Sequence, residues 1–290
     1  MYRKIYQKIE NILKPNKCKM IFYNIFQNSY KNEINNIINQ LDNLLLRTQD
    51  TKNYDECLKK TIYFLLKVNE VEKSIYYLHQ SILYYHRIHD TRNEFKSLYR
   101  ILEICQNNIN IPHIEVIMYN CYKDLAVLLE ENFELDEALN NLQIARTIIK
   151  KYKLDYSIIE IDFKIGSIYI TRNQFVLASE YLYGVIFYRD NYIFNYKECI
   201  VIMLYILTLL AKSDNINDVR MRLNDICQKY VGFCESDDYV LIINIISCVD
   251  NLDNEHFIHE TYRFVHKYKD EIFRYLFLTI KKTIDFKSLN

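Results

Sequence analysis

Two stretches in the middle of the chain repeat one helix-turn-helix pattern in the same register, and this repetition limits the possible folds more than any other feature. NFELDEALNNLQIA (Asn132 to Ala145) and NQFVLASEYLYGVI (Asn173 to Ile186) each set a turn-edge aromatic, Phe133 or Phe175, shortly before an alanine, Ala138 or Ala178. Between them Ile158, Ile161, Ile165, Ile168 and Tyr169 recur at three- and four-residue steps, which places them on one stripe of a helix. The alanines let two helix backbones approach closely, and the aromatics are expected to plug the corner between helices. The alanines are 40 residues apart; 41 residues onward lies Val219 in DNINDVRMRLNDI, and 40 back lies Leu98 in DTRNEFKSLYRILEI. Each sits just inside a helix entered by a polar turn.

A unit that cannot bury its apolar stripe alone stacks on its neighbours, and this pattern resembles the tetratricopeptide-like repeats, with a longer period. The expected fold is all-α: a right-handed superhelix of antiparallel helix pairs over residues 1–235, then a C-terminal helical bundle and tail over 236–290. An irregular bundle with a chance spacing is the alternative. Only 3 Gly and 2 Pro occur in 290 residues, so helix breakers are few, and a sheet-rich or phosphate-cradling fold is disfavoured. Gly166, Gly184 and Gly232 stand apart from one another and form no phosphate loop.

Periodicity predicts helices over 33–46, 54–68, 72–86, 95–106, 115–129, 136–151, 199–211, 217–230, 237–248, 254–268 and 270–284, with Pro112 in a first helical turn. Lysine and arginine balance aspartate and glutamate at 37 each, which argues against non-specific nucleic-acid binding by bulk charge. The 8 Cys include no Cys-x-x-Cys pair, the nearest two being Cys227 and Cys234; buried thiols in a reducing compartment are expected. The chain opens with no signal-peptide pattern, and no apolar run reaches the roughly 18–20 residues that span a bilayer. No residue set nominates a catalytic centre, cofactor or metal site, although His256, His259 and His266 share a helix. A Cys-His dyad would need distant partners, such as Cys121 or Cys199 with His113.

The N-terminal region carries a short amphipathic helix from Tyr2 to Leu13, then an apolar cluster, Met20, Ile21, Phe22, Ile25 and Phe26, behind Lys14, Lys17 and Lys19. In a loop over residues 17–29 it forms an apolar tip with a basic collar, suited to weak insertion into a membrane surface. Packing of the same residues on the next helix is the alternative.

The run from Gly232 to Ile284 resembles the end of the soluble NSF attachment proteins, alpha type. The resemblance rests on Phe233, Glu235 and Asp238, the acidic turn VDNLDNE, the terminal IKKTI of Ile280 to Ile284, and penultimate Leu289. IFYNIF, Ile21 to Phe26, falls where that family has its membrane-attachment loop. The resemblance implies an adaptor, not an enzyme, that binds assembled SNARE complexes of syntaxin- and synaptobrevin-type helices. It would recruit the hexameric ATPase NSF for their disassembly, in the cytoplasm and peripherally on membranes. It further implies SNARE contacts from basic residues, here Lys123, Lys164 and His113, and ATPase contacts from Asp237, Asp238, Asp250, Asp253, Glu255 and Leu289. Two lysine positions of the family are Tyr119 and Glu160 here; Lys123 and Lys164 lie one helical turn farther along the same faces. The tail lacks the family's acidic run. A tetratricopeptide-like scaffold for another partner, or the gamma-type relative, are the alternatives.

Overall fold

The computed structural model describes residues 32, 35–40, 42–43, 54–152, 155–187 and 196–288. Among the described residues there is no strand, and the chain is all-helical. The helices are α1 (Tyr54–Lys67), α2 (Val71–Arg87), α3 (Thr91–Asn107), α4 (Ile114–Glu131), α5 (Leu135–Lys150), α6 (Asp155–Thr171) and α7 (Phe175–Phe187). They continue with α8 (Tyr196–Ala211), α9 (Ile216–Lys229), the one-turn α10 (Val231–Cys234), α11 (Asp237–Asp250), α12 (Asn254–Lys267) and α13 (Glu271–Ser288). Residues 35–40 and 42–43 are also helical, with Ile37 and Ile38 buried. The sequence missed α10, and Pro112 lies two residues before α4 rather than in its first turn.

One backbone joint recurs between helices. Asn69, His89, Phe133, Asn173, Ser213 and Leu252 each have a left-handed φ of 53–64°. At every one, its N–H reaches the carbonyl three residues back, and the next N–H reaches the carbonyl five residues back, as in Glu70 to Leu65 at 2.9 Å. This is the Schellman closure, which satisfies the orphan carbonyls at a helix end. Glycine usually fills its left-handed position; here none does. The following residue, Glu70, Asp90, Glu134 or Asp253, is also the N-cap of the next helix. Asp90 and Asp253 cap it with their side chains, accepting from the backbone N–H of Asn93 and His256.

This joint corrects the expectation for Phe133. As the left-handed residue it points away from the helix pair and is 88% exposed, so it plugs no corner, whereas Phe175 packs half-buried on the core. Ala138 and Ala178, five residues past their joints, are fully buried, as is Ser74 at the same position in α2. The equivalent residue in α3 is the buried Glu94, not Leu98, because the link of residues 108–113 is longer than the others. Leu98 is core, one helical turn beyond the repeat position.

Contacts divide the chain into Met1–Leu128 and Leu129–Asn290; the boundary expected after residue 235 lies inside the second unit. In the first, α2 packs on α1 and α3 over Cys57, Phe64, Leu65, Leu98 and Ile101. The second is built around α8, whose residues Ile202 to Leu207 are buried on every side by α7, α9, α11 and α13. A helix apolar all round is one that must be central. Helices α6 and α7 approach so closely at Gly166 that an added Cβ would lie 3.1 Å from Leu182 Cγ. Arg146 of α5 donates from Nε and Nη2 to both carboxylate oxygens of buried Asp162 on α6, and its guanidinium lies over Tyr181 of α7. The end of the chain closes on Phe257, Phe264, Phe273 and Phe277, whose rings meet edge-on or tilted at 4.8–6.3 Å.

Candidate functional site

A cleft of about 1120 Å³ opens in the second unit. One wall is α6, which contributes Ile159, Glu160, Phe163, Lys164, Ser167 and Thr171, a stripe at helical spacing. The other wall is α13, with Ile272, Tyr275 and Leu278, and the floor is α8, with Val201 and Leu204. Tyr230 closes one end: its hydroxyl donates to the Ile186 carbonyl at 2.7 Å, while Lys229 Nζ donates to that of Phe187. Together they satisfy the last carbonyls of α7. The cleft edge carries Glu130, Glu160, Asp270 and Glu271 against Lys164 and Arg274, and Arg274 pairs with Glu271 at 2.7 Å.

Lys164 is half-buried on the α6 wall of a cleft whose charged lining otherwise comprises four carboxylates and Arg274. Lys123 is half-buried on α4 with its ammonium 5.8 Å from the centre of the Tyr119 ring, and Tyr119 is itself buried. His113 is exposed in the link before α4, at a left-handed φ of 63°.

The acidic set separates by environment. Asp238 is 5% exposed and accepts from Lys267 Nζ at 2.6 Å, so its charge is engaged within the fold and is withdrawn from any docking surface. Asp250 pairs with Arg220 at 2.8 Å, and Asp253 caps α12 and pairs with His256 at 2.7 Å. The His256 backbone N–H, then its ring, holds the Asp253 carboxyl below the usual range. Asp237 and Glu255 are exposed in the first turns of α11 and α12, where a negative charge also suits the helix dipole. Ile21, Phe22, Ile25, Phe26 and Leu289 lie outside the described residues.

Burial drives the Cys105 thiol up to about 11 and pushes Cys121 up strongly as well. Cys199 is raised to about 12, by burial and then by the neighbouring Asp238. Such thiols are poor nucleophiles. His259 and His266 hydrogen-bond to Glu260 and Tyr262, and no group of three or more His, Cys, Asp or Glu suited to a metal ion occurs among the described residues. No described helix is long and apolar enough to cross a membrane.

Sequence reasoning named Glu160 and Lys164 of the α6 wall, but its apolar stripe, Ile158, Ile161, Ile165, Ile168 and Tyr169, lies off the cleft, and the α13 wall was missed. Among the apolar residues of α13, Phe273, Leu276, Phe277, Ile280 and Ile284 are buried, Ile272 and Tyr275 are half-buried at the cleft, and Leu278 and Phe286 are exposed. No protein-family model matches this chain, and no curated protein matches it.

Proposed function

We propose that this chain is an adaptor of the soluble NSF attachment type: a tetratricopeptide-like superhelix of helix pairs that grips a SNARE bundle and presents its C-terminal helices to the ATPase. The reading rests on one observation above all. The same joint recurs at Phe133, Asn173, Ser213 and Leu252, at intervals of 40, 40 and 39 residues, the rhythm of an array of hairpins, and the last of them falls within the stretch whose sequence resembles that family. On this reading Lys123, Lys164 and His113 face the SNARE bundle. Asp237 and Glu255 supply the exposed negative charge for the ATPase, with Leu289 beyond them and the loop at Ile21 to Phe26 resting on the membrane.

The deciding experiment is ATP-driven disassembly of a preformed SNARE complex by NSF with this protein as sole adaptor. Disassembly is expected, and Lys123→Glu/Lys164→Glu should weaken SNARE binding about tenfold, with a steeper loss in high salt. Wild-type protein that neither binds the complex nor supports disassembly overturns the reading. The acidic edge around Lys164 favours a second one, a helical scaffold for a basic partner.

A further inference from the structure

We propose that the cleft between α6, α8 and α13 is a docking site for an amphipathic helix of another protein, about three turns long, with an apolar stripe bordered by Lys and Arg. This docking does not rest on the adaptor reading; the two compete for Lys164, which that reading turns towards an acidic SNARE surface.

Length comes first. The α6 wall runs from Ile159 to Thr171, which at about 1.5 Å per residue is about 18 Å, the span of slightly more than three helical turns. The interior is largely apolar, lined by Ile159 and Phe163 of α6, Tyr275 and Leu278 of α13, and Val201 and Leu204 of α8. Leu278 is 62% exposed and Ile272 and Tyr275 are only half-buried, so among the described residues apolar surface of the cleft lies open where a partner's stripe would lie. Such patches on a folded protein mark interaction sites, and an apolar helical face laid in a groove is a recurrent mode of recognition.

Charge then selects the occupant. Glu130 and Asp270 are exposed at the edge, and Arg274 is engaged by Glu271, which leaves the border acidic around Lys164. An acidic border attracts flanking lysines and arginines and repels a fatty-acid carboxylate or an anionic lipid headgroup. No strand edge occurs among the described residues to pair with an extended peptide. A basic-flanked helix meets all three conditions.

The test uses the full chain and fluorescently labelled model peptides of about 14 residues: a leucine stripe bordered by lysine, the same stripe bordered by glutamate, and a scramble of the first. Anisotropy should report binding of the lysine peptide alone, weakening with salt. Leu278→Asp, at an exposed position, should weaken it about tenfold or more, and Glu130→Lys/Asp270→Asn, which keeps the Asp270 acceptor for the Ile272 N–H, should do the same while restoring binding of the glutamate peptide. Circular dichroism and the unfolding midpoint should stay unchanged in both variants. A photo-crosslinker on the lysine peptide should label residues between 159 and 171 or between 270 and 278. Equal binding of the scramble, indifference to Leu278→Asp, or labelling elsewhere overturns the proposal. So does a cleft that takes oleate and not the peptide, or a self-association abolished by Leu278→Asp.

Discussion

A non-glycine residue in the left-handed region carries a cost of about 1–2 kcal/mol, and this chain accepts it at six helix joints. Asparagine at 69 and 173 tolerates the conformation best; phenylalanine at 133 and leucine at 252 tolerate it worst. Phe133→Gly is therefore expected to stabilise the protein by roughly 1 kcal/mol, read as a higher urea midpoint, while Phe133→Ala should change it little. Had Phe133 filled the corner between helices, either change would cost about 3–5 kcal/mol, so the two variants separate the accounts. The sequence pattern did not reveal this, because an aromatic beside a buried alanine reads as a packing pair. Only the backbone shows that the alanine packs inward while the aromatic ends the preceding helix.

Between elements, the clasp of Arg146 on Asp162 joins α5 to α6 through two largely buried charges. Asp162 is almost wholly buried and Arg146 mostly so, so removing the arginine leaves a carboxylate in the interior. Arg146→Met should cost about 3–5 kcal/mol by urea denaturation, and Arg146→Met/Asp162→Leu should recover most of it, since an apolar pair avoids the desolvation of two ions. Most helices were legible from apolar periodicity, and their bounds fall within a few residues of expectation, since a stripe such as Ile161, Ile165 and Ile168 reports burial directly. The cleft was half legible. Its α6 wall holds the lysine that the resemblance selected, but its α13 wall depends on which helix folds back on α8, and long-range packing leaves no period in a sequence. The acidic set read as one cluster, and only packing distinguishes Asp238, turned inward to Lys267, from Asp237 beside it.

For the molecule as a whole, stability should form a plateau in pH bounded by groups held neutral. Burial lowers the His79 pKa, against the pull of Asp124. The unfolded chain therefore takes up that proton first, and stability present above about pH 6.5 is lost as pH falls towards the folded value. At the alkaline end Cys105, raised to about 11, and Tyr205, raised to about 12 by burial, stay protonated in the fold. Their contribution is complete below about pH 9 and lost as pH rises through those values. Urea midpoints across this range should be highest between about pH 7 and 8.5, and His79→Gln should flatten the acid limb alone. A midpoint that climbs steadily from pH 5 to 6.5 in that variant as in wild type would remove His79 from the account.

The shared residue at each joint has a mechanical meaning. Because Glu70, Asp90, Glu134 and Asp253 each sit at the end of one helix and the start of another, the chain has no slack there to lengthen before structure breaks. A pull that opens a joint strips the closing bonds of one helix and the opening bonds of its neighbour together. At these four joints tension therefore finds no soft hinge, and the two helices that share the residue give way together. A helix pair of about 40 residues releases on the order of 140 Å of extended backbone, so extension there comes in discrete lengths rather than as a spring's.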